Sequence, residues 1–210
     1  LQAMDWVDVM SALKADPAET AAIAKSLSDW PLSSAAYFAG VQKKLKDSIA
    51  YGQYSIFTNG YWGHPAYKLP PEVNLLGVAH YLQALVWQRD MIKIHTILGG
   101  KNPHPNFLVG GMACAINMNN DQAINQFSLS YLKQLVQTCH DFIHKVYYPD
   151  IVAIAGFYKD YAHIGASNPN FFCTGAPSEI NTGAPAGKGM IKPGVLLNGD
   201  YRNVLPFDQD

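Results

Sequence analysis

The sequence has 210 residues, a formal net charge of −1 and 15% charged residues, against about 25% in a typical soluble domain. The near-zero charge excludes an electrostatic case for nucleic acid as a partner. The longest uncharged apolar stretch, residues 73–88, is shorter than the ~20 residues that a membrane-spanning helix needs. The low charge indicates either that something else covers much of this surface, or that the surface is polar but uncharged.

Three helices are predicted in the first 50 residues. Apolar residues recur at helical spacing from the first position to Leu13. Asp16, followed by a proline and then by Glu19, has the pattern of a helix N-cap with a capping-box acid. Ser33 or Ser34 can cap the third helix. The predicted helices cover residues 1–13, 17–27 and 34–49.

The strongest helical pattern covers residues 72–98. Two prolines precede it and Gly99 follows it, and a helix of this length would span ~40 Å. Apolar residues lie nearly all round this helix, which indicates burial at the centre of a domain. Residues 51–71 form an irregular segment rich in Gly, Tyr and Pro. A loop this aromatic is expected to pack on the protein or on a partner.

A second long helix is predicted over residues 127–148 and is expected to end at Pro149. We expect the two long helices to pack together as the spine of a bundle. From Tyr161 onward, Gly, Pro and Asn are dense and the apolar runs are short. Asn198-Gly199 is a hairpin-turn signal, and its predicted arms are residues 195–197 and 201–204.

These patterns predict a mainly α fold, in which a helical bundle core precedes a small irregular antiparallel β region toward the C-terminus. Residues 1–160 are expected to be mostly helical, and residues 161–210 to be rich in loops and strands. Both ends have the features of positions inside a longer chain, since no start residue or secretory signal is visible at one end and no capping or stop signal at the other.

The most distinctive segment is Gly99-Gly100-Lys101-Asn102-Pro103-His104-Pro105-Asn106, with a second glycine pair at 110–111. Glycine ends helices well, and the two prolines push Asn102 and His104 toward extended backbone. One imidazole and the Lys101 ammonium are therefore held on a stiff, non-repetitive segment. Such a segment is either a rigid connector or a functional loop, and a lone histidine does not define a chemistry.

Other candidate groups do not complete an active site. His140 and His144 lie one helical turn apart, which can hold a metal and resembles a zinc motif with Asp141 in the place of glutamate. No third ligand is evident. His80 is expected to be a satisfied core histidine. The three cysteines, Cys114, Cys139 and Cys173, are far apart and are expected to be small buried hydrophobes.

Three stretches carry a family resemblance: residues 62–72, Ala79-His80-Tyr81-Leu82, and the eight-residue run from Gly99 to Asn106. Together they resemble the large subunit of nickel–iron hydrogenases, most of all the membrane-associated respiratory uptake type. The match can be followed from Met4 to Asp200. The eight-residue run is specific, whereas the isolated His-Pro and Gly-Gly pairs are not.

The resemblance implies reversible oxidation of H2 to protons and electrons at a nickel–iron centre. The family holds this centre with four cysteines in two Cys-x-x-Cys pairs near the ends of the subunit, and neither pair occurs here. We therefore expect an internal part of a single large-subunit domain, covering residues 1–210 and inactive alone. The resemblance also implies iron–sulfur clusters in a small partner subunit, a membrane cytochrome b, and a location on the periplasmic side of the membrane.

By resemblance, Lys101 and His104 lie near the interface with the small subunit, and His104 matches a histidine close to the proximal iron–sulfur cluster. No residue of this chain is expected to be catalytic or to bind metal. One departure is Gln83, where many relatives have glutamate. Two alternatives stay open at this point: a metal-free scaffold subunit of a hydrogenase-related respiratory complex, and a zinc hydrolase that uses His140 and His144.

Overall fold

The structure is a computed structural model that describes residues 3–53, 61–106, 117–121, 123–174 and 193–206. The predicted mainly α fold is confirmed. The chain divides into two compact units, residues 1–159 and 160–210, and each is described by itself. The helices are α1 (Val9–Ala12), α2 (Pro17–Leu27), α3 (Ala35–Ala50), α4 (Pro71–Gly99), α5 (Gln126–Phe142) and α6 (Tyr148–Phe157), and the strands are β1 (Phe171–Cys173) and β2 (Gly194–Leu196).

The first predicted helix is wrong as a single element. A 3-10 turn covers Ala3–Trp6, and α1 begins only at Val9. Asp8 separates the two because its backbone is extended and its Oδ1 accepts hydrogen bonds from the backbone N–H groups of Met10 and Ser11. An aspartate that caps a helix start cannot also lie inside a helix. The caps predicted for the next two helices are confirmed at Asp16 and Ser34.

Helix α4 runs along the first unit and matches the predicted bounds to within one residue at each end. It packs against α1, α2, α3 and α5. Leu75, Val78 and Ala79 in its first half are fully buried, whereas Val86 in its second half is 55% exposed and Ile92 is also exposed. The expected burial on every side therefore holds only for the first half of the helix within the described part of the chain.

The predicted end of the second long helix at Pro149 is wrong. Helix α5 continues through a π-helical turn, Ile143–Tyr147, directly into α6, which contains Pro149 in its first turn. A proline inside an α-helix removes one hydrogen bond and clashes with the preceding turn. The π turn, in which the N–H of Tyr148 donates to the carbonyl of Ile143, widens the helix just before the proline. The helical path therefore continues.

The packing expected between the two long helices is confirmed at α4 and α5. Phe142, at the end of α5, is buried between two tryptophans. Its ring stacks on Trp87 of α4 with centroids 5.0 Å apart, and Trp30 meets it edge-on at 5.7 Å. Such aromatic pairs add to the stabilisation that burial of the rings provides. Among the described residues, no helix is both long enough and apolar enough to cross a membrane.

The second unit contains the predicted small antiparallel sheet. Strands β1 and β2 pair with Phe171 opposite Leu196 and Cys173 opposite Gly194. Asn198 and Gly199 have φ values of 56° and 71°, as a tight turn requires. The predicted return arm over residues 201–204 is wrong, because the chain makes a further turn there and pairs with β2 only through a bridge between Val195 and Leu205.

Candidate functional site

The segment after α4 is held by contacts with the last turns of that helix. Gly100 ends the helix in the left-handed conformation, with φ of 81°, and its N–H donates to the carbonyl of Thr96 at 2.9 Å. The Nδ1 atom of His95 lies 2.5 Å from the side-chain oxygen of Asn102. The segment folds back so closely that a Cβ atom on Gly99 would lie 2.5 Å from the Cβ of Pro105. Glycine is therefore required at the last position of α4.

The structure brings the two residues predicted for this site together on one short segment. Lys101 and His104 are both exposed, and His104 has a φ of 62°, which is uncommon for a residue with a side chain. The side chains of Lys101 and His104 therefore face outward from a segment that is held by the Gly100 helix end and the His95–Asn102 contact. The second predicted glycine pair at 110–111 and Cys114 lie outside the described residues.

A partly buried polar network holds the His-Pro stretch, residues 62–72, against the N-terminal segment. The Oδ2 atom of Asp8 accepts from the N–H of Gly63 at 3.0 Å. The hydroxyl of Tyr158 accepts from the N–H of Lys68 at 2.9 Å and donates to the carbonyl of Trp6 at 2.9 Å. These contacts join positions 55 to 152 residues apart in sequence, so helical spacing could not reveal them. Aspartate is a favoured helix N-cap, so Asp8 offered a local signal, but the helix predicted over residues 1–13 ran through this position.

Asn74 links the same segments from inside α4. Its side-chain oxygen accepts from the N–H of Asp8 at 2.8 Å, and its amide nitrogen donates to the carbonyls of Leu69 and Pro70 at 2.9 and 3.1 Å. The side chain is fully buried. All these bonds satisfy groups that would be costly to bury unpaired. Asn74 therefore fixes where α4 begins relative to the N-terminal segment.

His80 is buried, as predicted, and is paired with a carboxylate. Its Nδ1 atom lies 2.7 Å from Oδ2 of Asp150 in the first turn of α6. Its Nε2 atom is also buried and has no hydrogen-bond partner among the residues that the structure describes. The prediction of a satisfied histidine therefore holds for one ring nitrogen. Asp150 was missed because the helix was expected to end one residue earlier.

Gln83 bridges two aromatic side chains. Its side-chain oxygen accepts from the indole N–H of Trp30 at 2.7 Å, and its amide nitrogen donates to the hydroxyl of Tyr37 at 3.0 Å. Burial raises the pKa of the Tyr37 hydroxyl, and the bond from Gln83 partly opposes this rise. The Gln83 amide thus accepts from Trp30 and donates to Tyr37 at the same time. A carboxylate at this position could only accept, so the Tyr37 hydroxyl would have to donate to it.

The two histidines predicted as a metal pair lie side by side. The ring centroids of His140 and His144 are 4.2 Å apart, and both side chains are exposed. No group of three histidine, cysteine, aspartate or glutamate side chains suited to a metal ion occurs among the described residues. Cys139 on α5 and Cys173 on β1 form no disulfide, and both are half-buried rather than buried as expected. The site of a hydrolytic zinc enzyme is therefore not present in this part of the chain.

Comparison with known protein families gives a match over the whole sequence. The model of the nickel-dependent hydrogenase family matches residues 1–210. The Hydrogenase-1 large chain of Escherichia coli K12 is 48% identical over 213 residues, which cover 99% of this chain and 36% of that protein. The uptake hydrogenase large subunits of Rhizobium leguminosarum bv. viciae and Rhodobacter capsulatus are 48% and 42% identical, with the same coverage.

The family match covers every residue of the sequence, and it defines the class of protein to which this chain belongs. The chain belongs to the nickel-dependent hydrogenase family. It spans 36% of the length of the Escherichia coli relative. The described residues do not fit a nickel–iron centre, because neither Cys139 nor Cys173 belongs to a cluster of three or more possible metal ligands. The sequence also contains no Cys-x-x-Cys pair.

Proposed function

We propose that this chain is part of the catalytic large subunit of a nickel–iron hydrogenase, which carries out the reaction H2 ⇌ 2H⁺ + 2e⁻. The observation that carries the proposal is the family match over residues 1–210, together with 42–48% identity to hydrogenase large subunits over 99% of the chain. Its nickel–iron ligands would lie in parts of the longer subunit outside this sequence, and electrons would leave through iron–sulfur clusters of a small subunit.

The uncovered apolar surface supports a place inside a larger subunit. Helix α6 is strongly apolar, yet none of its residues is buried within this chain. Within α6, Val152 is 55% exposed, and Tyr148 and Ile151 are also exposed. Exposed apolar surface of this extent marks contact with another protein part. In the proposal, the remainder of the large subunit covers the exposed apolar face of α6.

The loop that carries Lys101 and His104 is the proposed contact with the small subunit. The support is an outward-facing ammonium and imidazole on backbone fixed by Gly100 and by the His95–Asn102 bond. His104 would lie near the proximal iron–sulfur cluster, where a hydrogen bond to a cluster ligand changes the reduction potential. The membrane cytochrome b partner and the periplasmic side of the membrane are parts of the same proposal, which follow from the uptake type.

The first experiment compares the full-length subunit, co-produced with its small subunit, with the isolated 210-residue chain. We expect nickel and H2 oxidation in the complex, and neither in the isolated chain. Nickel-dependent H2 oxidation by the isolated residues would contradict the proposal. Reading the gene on both sides for the two Cys-x-x-Cys pairs separates the catalytic subunit from a metal-free scaffold subunit, because the scaffold would lack them.

The second experiment tests the loop in the assembled complex. We expect Lys101→Glu to weaken recovery of the small subunit with the large one, and His104→Ala to shift the potential of a cluster signal in a redox titration. Lys44→Glu, at an exposed position of α3, and His163→Ala, at an exposed loop position, are the matched controls. Equal behaviour of the loop variants and their controls would remove the interface role.

A further inference from the structure

The end of α5 places two imidazoles next to each other outside the proposed interface loop. His140 and His144 have ring centroids 4.2 Å apart and ring planes inclined by 32°. The His140 side chain is 60% exposed, and His144 is also exposed. The pair spans the junction between α5 and the π turn, so both residues lie on one continuous helical path. Nitrogen ligands one turn apart on a rigid helix are already arranged to bind the same ion.

A carboxylate next to the pair is positioned to orient one of the rings. The Oδ1 atom of Asp141 lies 3.5 Å from Nδ1 of His140. The same oxygen accepts a hydrogen bond from the side-chain amide of Gln137 at 2.8 Å, so the carboxylate is itself held in place. Metal-binding histidines typically donate their second ring N–H to a carboxylate, which leaves the other nitrogen free for the metal. The 3.5 Å separation is longer than a hydrogen bond, but a small rotation of the His140 ring would shorten it, so that Asp141 could serve His140 in this way and leave its Nε2 atom as the ligand.

The nearby cation is engaged elsewhere. The Nζ atom of Lys145 lies 3.0 Å from Oδ1 of Asp29, which lies in the segment between α2 and α3. This ion pair holds the pKa of Asp29 below its ordinary value of 3.8. Because the ammonium is paired with a carboxylate, its charge opposes a second cation at the histidines less than a free lysine would.

We propose that His140 and His144 form a chelating site for a divalent transition-metal ion of borderline softness, such as Zn²⁺, with water completing its coordination. Two imidazole nitrogens suit Zn²⁺, Ni²⁺ and Cu²⁺ better than the hard ions Mg²⁺ and Ca²⁺, which prefer oxygen ligands. Two protein ligands are fewer than structural zinc sites use, so the site binds the ion reversibly and leaves positions open. It is separate from the nickel–iron ligand set of the proposed function and does not depend on it.

Zn²⁺ affinity should respond differently to substitution if the two histidines chelate one ion than if they bind independently. When two ligands bind one ion, loss of either ligand removes the advantage of the second binding event, which is worth about 100-fold or more in affinity. We therefore expect His140→Gln, His144→Gln and the double variant to weaken Zn²⁺ binding to a similar extent. Asp141→Asn is expected to weaken it by about tenfold, because the orienting carboxylate is lost.

The experiment is a Zn²⁺ titration by isothermal calorimetry of the full-length subunit in complex with its partner. His163→Gln is the matched control, since it removes an exposed histidine that has no neighbouring histidine in sequence. The proposal predicts one Zn²⁺ site in the wild type and the control that disappears in each single variant. Zn²⁺ binding that survives in His140→Gln or His144→Gln would overturn the proposal. So would a Zn²⁺ affinity that falls by one step in each single variant and by the sum of both steps in the double variant. Circular dichroism of each variant checks that α5 remains folded.

Discussion

Replacement of Asn74 by leucine is expected to separate the N-terminal segment from the start of α4. The leucine is close to asparagine in volume, but it cannot accept from the N–H of Asp8 or donate to the carbonyls of Leu69 and Pro70. Three hydrogen bonds at about 1 kcal/mol each give a loss of about 3 kcal/mol in the free energy of unfolding. The loss is not recovered from water, because the side chain is fully buried.

Urea unfolding of the purified chain, followed by the fluorescence of its four tryptophans, measures this loss. With a slope of about 3 kcal/mol per M of urea, the midpoint of unfolding is expected to fall by about 1 M. Thr138→Val is the control, because its hydroxyl donates to the carbonyl of Gln134 on an exposed face, and its loss should change stability by less than about 0.5 kcal/mol. A midpoint for Asn74→Leu equal to that of the control would refute the role of this network.

Three further variants test other contacts. Gly99→Ala is expected to lower the free energy of unfolding by about 1–3 kcal/mol, because the added Cβ atom would clash with Pro105 in the following loop. Gly40→Ala in α3 is the control: its Cβ atom would meet open space, and the substitution should raise the free energy of unfolding by about 0.5–1 kcal/mol. The reverse order in urea unfolding would contradict the loop packing. Lys145→Met should return the pKa of Asp29 toward 3.8, measured by NMR titration of its carboxyl carbon. Because the folded-state pKa of Asp29 is lowered, the contribution of this ion pair to folding stability is present above pH 3.8 and is lost as pH falls through the folded-state pKa. An unchanged pKa of Asp29 in the variant would exclude Lys145 as the cause of the lowering. Gln83→Leu should destabilise more than Gln83→Glu in thermal unfolding, because only the glutamate still accepts from the half-buried indole N–H of Trp30; equal melting temperatures would contradict this.

Features that depend on neighbouring residues could be predicted from the sequence. The caps at Asp16 and Ser34 and the glycine end of α4 are local signals, and the structure has them where the sequence predicts them. The extended backbone predicted at His104 is wrong, because its φ is 62°, so the flanking prolines did not by themselves define its conformation.

Contacts between distant residues could not be predicted in the same way. The His80–Asp150 pair joins positions 70 residues apart, and the Asn74–Asp8 bond joins positions 66 apart. Neither pair produces a periodic pattern, since its two partners belong to different elements that are distant in sequence. The error at Pro149 has a different cause: the proline rule applies to a regular α-helix, and the π turn before it is not regular.

The wide turn at Ile143–Tyr147 has a consequence for insertions and deletions. A π turn takes up about one residue more than an α turn, so its loss would rotate everything that follows by about 100° around the helix axis. Asp150 would then point away from His80, although every side chain had kept its identity. In this stretch, the number of residues matters more than their chemistry, and gene variants that shorten it by one codon should be tolerated less well than most missense changes there.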